Sequence, residues 1–461
     1  MRGDGLLDLG ARRRVHIVGI GGAGMSAIAT VLAGMGHRVT GSDLKESRML
    51  ARLRVLGVDA RAGHRPENVP EDADAVVIST AIPTTNAEVR AAEERGIPVL
   101  RRADALRAIV ATRRSVAVAG SHGKTTTSSM LALVLRGAGW HPSFVIGGDL
   151  NEVGTNAAVD SGDWLVVEAD ESDGTFLELA PEAGIVTNVE PDHLDHYGDF
   201  SALVAAFDRF VAGLPGARVV CVDDPHARAL AARHEGVITY GWADDAGYRI
   251  VAYEGGRIGS RFALERGGTR LGVVELPVPG RHNAQNAAAA AVTALELGIG
   301  FDAVATALGA FGGVARRFQF RGELDGVTLV DDYAHIPGEI AAMIRAAREG
   351  GWRRVIAVFQ PHRYTRTARL WRDFGDAFAE ADAVVLTDVY AAGEQPQPGI
   401  SGRLVLRAVL DRHPSLPVTY LPRRADVVEH VPHLARPGDI VLTLGAGDLT
   451  TVPDEWMAGA S

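Results

Sequence analysis

The chain has 461 residues, 47% of them hydrophobic, a formal net charge of −10 and one cysteine, Cys221. That length suits about three domains of roughly 150 residues; the acidic balance offers no general attraction for nucleic acid or an anionic membrane, and a lone cysteine excludes an intramolecular disulfide or a multi-cysteine metal site. No run approaches the roughly 20 apolar residues of a membrane span, and "VHIV" after "ARRR" meets a glycine turn too soon for a signal-peptide core. A cytoplasmic protein is expected, with no nucleic-acid partner and no membrane insertion, as a monomer or homodimer.

Short β-branched runs alternate with alanine-rich helical stretches, the pattern of parallel strands crossed over by helices. Three blocks are expected, 1–110, 111–316 and 317–461. In the first, Gly19, Gly21 and Gly24 satisfy G-x-G-x-x-G directly after the strand "VHIV", and Asp43 follows the next strand, where an acidic side chain reaches a ribose hydroxyl. The glycine backbone and helix start accept any diphosphate, so NAD and a UDP-sugar both stay open. An NAD-dependent dehydrogenase is what this loop alone suggests.

The second block opens with "SVAVAGSHGKTTT". The usual phosphate loop has a glycine five residues before its Gly-Lys pair, and Val118 stands there, so the loop is short. Gly120 and Gly123 allow the backbone to wrap a phosphate, Lys124 supplies a point charge, and the Thr125 hydroxyl is placed for Mg²⁺. "VVEADESDGTF" then sets Glu168, Asp170, Glu171 and Asp173 at the end of an apolar strand. Glu168, nearest the buried strand, needs a cation most; the others read as a hydrated turn. "VTNVEPDHLDHYG" brings His193 to the end of the following strand, able to bind a second divalent ion or a phosphate. Residues 248–276 predict a small antiparallel sheet, and "HNAQNAAAAAVTALELG" a helix. The third block has strands "VTLVDDY", "RRVIAVF", "DAVVLTDVY" and "GDIVLTLGAG".

Taken in order, "GIGGAGMSAIA", "GSHGKTTT", "EADESD", "NVEPDHLDHYG", "PGRHNAQNAAAA", "DDYAH", "FQPHRYTRT" and "DVYAAGE" resemble the Mur ligases from Gly19 to beyond Glu394. The short loop is the form that family uses. The resemblance implies a three-domain α/β fold. Its parts are an N-terminal Rossmann-like UDP-binding domain, a central P-loop ATP-binding domain with the extra small sheet, and a C-terminal Rossmann-like domain for the amino acid. It further implies an ATP- and Mg²⁺-dependent ligase of the alanine-adding branch. Such an enzyme joins L-alanine to the lactyl carboxylate of UDP-N-acetylmuramate through an acyl phosphate, in peptidoglycan precursor synthesis. A sister ligase recycling wall peptides is the nearest alternative, which a tyrosine at Ser172 would have favoured.

By the same resemblance Gly19, Gly21, Gly22, Gly24, Met25 and Ser26 are similar to the diphosphate loop, and Asp43, Ser79, Thr80, Ala81 and Ile82 lie near ribose or uracil. Gly120, Ser121, Gly123, Lys124, Thr125 and Thr126 take the ATP phosphates, while Thr125, Glu168 and His193 hold Mg²⁺. His282, Asn283 and Asn286 resemble ATP-binding residues. Arg317 matches an arginine that approaches the phosphates, with Arg316 read as a solvated neighbour. Asp331, Asp332, Tyr333 and His335 resemble a motif closing over nucleotide and amino acid, and His362, Arg363 and Arg366 a carboxylate-binding set. The implied catalytic residues are Lys124, His193, Arg317 and His335. Three departures stand out: Ser121 for threonine, Ile336 and Gly338 where the family has histidine and threonine, and Arg209 about where some relatives carry a carbamoylated lysine.

Overall fold

The computed structural model describes residues 7–79 and 81–459, apart from the side chain of Asp195. Thr80, one of the expected sugar-nucleotide residues, lies outside them. Alternation of strand and helix builds three sheets. The first is wholly parallel, in the order Asp59–Ala62, Arg38–Asp43, Arg14–Val18, Ala75–Ile78, Val99–Arg101. The chain leaves Arg14–Val18 toward one side and returns on the other. That reversal opens a crevice at the carboxyl end of the strand, where the first glycine loop begins.

The second sheet has ten strands, and its centre is the run Ala183–Val186, Arg114–Ala119, Trp164–Glu168, all parallel. The phosphate loop, the acidic turn and the segment leading to His193 therefore leave neighbouring strands at the same end. The segment 248–276, expected to form a small antiparallel sheet, holds three strands, and they continue the ten-stranded sheet from Ile238–Gly241 instead of standing apart. An exposed strand edge carries unpaired amides and carbonyls, and further strands satisfy them.

The third sheet orders Gln319–Leu324, Val327–Asp332, Ile440–Leu444, Val355–Phe359, Ala383–Leu386 and Val418–Tyr420, with only the first pair antiparallel. Successive residues of a strand face opposite sides. Val355, Ala357 and Phe359 accordingly pack with Ile340, Phe374 and Val405, while Ile356 and Val358 pack with Val427, Val431 and Val452. Both faces are covered, as a parallel sheet requires. The chain forms two compact units. One holds the described residues to 251 with Leu264–Gly272 and Asn286–Leu308; the other holds Ala252–Ala263, Val273–Gln285 and the described residues from 309.

Candidate active site

In the first unit the loop after Arg14–Val18 turns at Gly19, whose φ is 79. The amides of Gly19 and Ile20 both donate to the Ser42 carbonyl, at 2.8 and 2.9 Å. Ser42 in turn donates its hydroxyl to Glu88, a buried carboxylate. Burial alone would raise Glu88, but hydrogen bonds from His16, Ser42, Asn68 and the Arg65 amide hold it down at about 2. Asp43 has a further task besides the one expected of it: its Oδ2 accepts the Gly21 amide at 2.8 Å. Gly22 precedes the helix Ala23–Gly34. The Met25 and Ser26 side chains are both buried; the Ser26 hydroxyl donates to the Ala23 carbonyl at 3.0 Å and its amide to the Gly22 carbonyl at 2.8 Å. Ser79 and Ile82 pack against Gly19, so the "STAIP" stretch does border this loop, with Ala81 exposed.

Across the same unit, the short phosphate loop is pinned from two sides. Ser121 Oγ donates to the Glu190 carbonyl and accepts the Glu190 amide, at 3.1 and 2.8 Å. The His122 amide donates to Asn188 Oδ1 at 2.8 Å. A Cβ at Gly120 would collide with Thr187, and one at Gly123, φ 79, with the Asn286 amide. Asn286 thus stands at the phosphate loop. Lys124 opens the helix Lys124–Gly137, and its Nζ donates to the Gly120 carbonyl at 2.6 Å and to Glu171 at 2.8 Å. Thr125 and Thr126 are buried beside it.

Glu171 corrects the hydrated-turn reading. Its side chain is 1% exposed, and burial pushes its carboxyl up to about 7 against the pull of Lys124. Burial also works to lower Lys124, but the charges of Glu171, Asp170 and Glu168 prevail and keep that ammonium above its ordinary value. His193 sits with φ 52, its Nε2 3.3 Å from Asp192 and 3.9 Å from Glu171. Glu168 accepts the Gly147 amide through Oε2 at 2.7 Å. Among the described residues no three His, Cys, Asp or Glu side chains group tightly enough to hold a metal by themselves.

A cleft of about 210 Å³ within this unit is lined by Gly24, Arg102, Gly147, Glu168 and Asp170 among others. The first glycine loop and the acidic strand end therefore share one space. Arg102, which no motif singled out, bridges them: it pairs with Asp170 at 3.3 Å and Asp173 at 3.1 Å.

The second unit gathers the remaining motifs. Arg316 and Arg317 both lie over the Tyr333 ring, at 4.8 and 5.4 Å. Arg316 is no solvated neighbour, since its Nη2 donates to the Gly445 carbonyl at 2.7 Å and its Nε lies 3.4 Å from Asp331. Asp331 and Asp332, expected to meet ATP, make local hydrogen bonds. Asp331 accepts Thr443 and Thr450 hydroxyls at 2.9 and 2.6 Å. Asp332, raised to about 6 by burial, accepts the amides of Phe318 and Ala334. His282 is held down at about 4 by burial and then by Arg345 and Arg317. Asn283 turns inward, donating to the Pro279 carbonyl at 2.7 Å.

His335, His362 and Tyr390 form a ring stack, with His335 edge-on to His362 at 5.9 Å and Tyr390 parallel to it at 5.7 Å. Arg366 contacts His362 Nδ1 at 3.2 Å. Burial first, then the neighbouring His335, Arg366 and Arg363, lowers His362 to about 3.

Three family models match in chain order: the Mur ligase catalytic domain over residues 14–114, the Mur ligase middle domain over 118–294, and the Mur ligase glutamate ligase domain over 316–447. The chain belongs to the Mur ligase family. The UDP-N-acetylmuramate–L-alanine ligase of Pelotomaculum thermopropionicum is 47% identical over 453 residues, 97% of this Mur ligase and 96% of that one. Its counterpart from Rubrobacter xylanophilus is 49% identical, covering 96% and 99%. The crystal structure of the UDP-N-acetylmuramate–alanine ligase of Thermotoga maritima matches with TM-score 0.83 at 28% identity, covering 97% and 99%. The murein peptide ligase of Psychrobacter arcticus shares the fold, with TM-score 0.69 at 23% identity over 97% and 98%.

Two departures of this Mur ligase now have a setting. Ile336 is buried at the start of the helix Pro337–Glu349, where an apolar side chain fits and a charged imidazole would be desolvated. Arg209 is exposed on the helix Phe200–Ala212. No helix among the described residues is long and apolar enough to cross a membrane.

Proposed function

We propose that this Mur ligase joins L-alanine to the lactyl carboxylate of UDP-N-acetylmuramate, with ATP converted to ADP and phosphate, as a step of peptidoglycan precursor synthesis in the cytoplasm. The observation that carries the reading is the near-full-length identity of 47% and 49% to ligases of that name. The choice of alanine rests on these relatives, because the third family model is described by glutamate. Domain limits at 1–110, 111–316 and 317–461 fit the same reading.

A carboxylate does not condense with an amine unaided, since its leaving group would be oxide. In the proposed sequence the lactyl carboxylate attacks the γ-phosphate, forming an acyl phosphate and releasing ADP. Lys124 is the cation that meets the charge developing on the transferring group. The Oε1 of Glu168 and the Thr125 hydroxyl are oxygen donors of the kind Mg²⁺ takes alongside phosphates, and His193 helps place a second ion. Bound there, Mg²⁺ neutralises phosphate charge. The amine of L-alanine then attacks the acyl carbon and phosphate departs.

That amine must first lose a proton. His335 Nδ1 lies 3.0 Å from the Tyr333 carbonyl, an oxygen that only accepts. Nδ1 is thus the nitrogen that donates there, and Nε2 is the nitrogen through which His335 acts as general base in the proposed step.

ADP release by the purified protein with UDP-N-acetylmuramate, ATP and Mg²⁺ tests this. L-alanine should stimulate release strongly, and a wall tripeptide should not. Stimulation by the tripeptide alone would transfer the chain to the recycling ligases.

A further inference from the structure

Arg363 carries an unusual backbone. As the residue before the helix Tyr364–Leu370 it has φ 72 and ψ 134, a conformation that L side chains rarely adopt, and no side-chain hydrogen bond caps the helix from that position. Strained residues persist only where their surroundings hold them, and they concentrate at functional sites. The surroundings here come from the segment after Ala383–Leu386. The Arg363 amide donates to the Tyr390 carbonyl at 2.8 Å, and His362 pairs with Tyr390 as an isolated parallel bridge.

Glu394 completes the hold. Its Oε1 lies 2.9 Å from Arg363 Nε and accepts the Thr365 hydroxyl at 2.6 Å, while Oε2 accepts the Thr365 amide at 3.0 Å. Three donors of one turn thus converge on a single carboxylate. Burial works against the charge on Glu394, but the bonds from Thr365 and the charge of Arg363 outweigh it and keep its pKa below the usual value. The pairing uses Nε of Arg363, whose side chain remains 39% exposed. A guanidinium has five donors in a flat fork. With Nε engaged, its outer nitrogens keep the geometry that grips a second carboxylate in two parallel bonds.

We propose that Glu394 is a positioning residue for L-alanine: it holds Arg363 in its strained turn so that the outer edge of the guanidinium receives the amino acid's carboxylate. This rests on the reading of Arg363 as a carboxylate-binding residue. The sequence places Glu394 in "DVYAAGE", 31 positions after Arg363, and nothing in that spacing reveals the contact.

The test is steady-state kinetics of the full-length enzyme with each of the three substrates varied in turn, for Glu394→Gln, Arg363→Lys and the double variant. Glutamine keeps the size of the side chain and loses its charge and one acceptor. Glu394→Gln should raise KM for L-alanine about tenfold, with KM for ATP and UDP-N-acetylmuramate within about twofold of the parent. Because Glu394 acts through Arg363, the double variant should be no worse for L-alanine than Arg363→Lys alone. If Arg363→Lys raises the alanine KM and Glu394→Gln does not, the inference is overturned while the amino-acid site stands. If neither changes it, Arg363 does not meet the amino acid and both fall. A Glu394→Gln variant whose three KM values rise together, with a matching loss of melting temperature, would reduce Glu394 to a brace of the local fold and likewise overturn the proposal.

Discussion

Lys124 is held between the Gly120 carbonyl and the buried Glu171 carboxylate, which leaves its ammonium charged and at a fixed place. Its removal should therefore strike the phosphoryl step and spare the sugar nucleotide, whose glycine loop belongs to a different sheet. Lys124→Ala should lower ADP release by at least about 10²–10³-fold, while calorimetry finds the Kd for UDP-N-acetylmuramate within about twofold of the parent. Equal loss of both would mean the two loops are misassigned. Lys124, Thr125 and Glu168 stood out in the sequence because their motifs are made of neighbours in the chain. Glu171 was not: its burial comes from packing against a helix 47 residues away, and a carboxylate in a run of carboxylates reads as solvated until that packing is known. Arg316 was misread for the same reason, since the Gly445 carbonyl it binds is 129 residues distant.

At the scale of elements, the phosphate loop needs glycine at position 123 for more than backbone freedom, as a comparison with Gly139, beyond the helix Lys124–Gly137, makes plain. Gly123 and Gly139 have nearly equal φ, 79 and 78, but only Gly123 faces a neighbour, Asn286, where its Cβ would sit. Gly139→Ala should cost only the left-handed penalty, about 1–2 kcal/mol. Gly123→Ala should add about 1–3 kcal/mol of overpacking and raise KM for ATP, as chemical denaturation and kinetics of the two variants would show. Indistinguishable variants would mean that Asn286 does not press on the loop. Strand and helix alternation made the elements themselves readable, and G-x-G-x-x-G placed its turn. The order of strands was not readable. That Trp164–Glu168 and Ala183–Val186 flank Arg114–Ala119 follows from pairing across the sheet, and a period along the chain carries no record of it. The strands within residues 248–276 show the limit well: their alternation predicts hairpins, and whether they stand alone or extend a larger sheet depends on an edge provided by Ile238–Gly241.

At the scale of the whole molecule, acid should act on the second unit through its buried histidines. His282 and His362, both in the second unit, are held at about 4 and about 3, below the ordinary 6.5. The unfolded chain therefore binds protons that the folded one refuses, so their contribution to stability is complete above about 6.5 and is lost as pH falls toward the folded values. Asp332, raised to about 6, acts in the opposite sense below that pH, one carboxyl against two imidazoles. The melting temperature of the second unit should fall between pH 7 and pH 5, and His362→Gln should flatten the fall. An unchanged slope would show that His362 is not kept neutral by its surroundings. The three-domain organisation was legible from motifs spread between Gly19 and Glu394, because most of them mark the carboxyl end of a strand and together they fall on all three sheets. The proposed function turns on activation of an acid by phosphoryl transfer, and oxygen labelling tests that most directly. With both lactyl carboxylate oxygens of UDP-N-acetylmuramate replaced by ¹⁸O, each phosphate released during ligation of L-alanine should carry one labelled atom, the other remaining in the new amide. Unlabelled phosphate would show that water, and not the carboxylate, takes the γ-phosphoryl group, which contradicts the account.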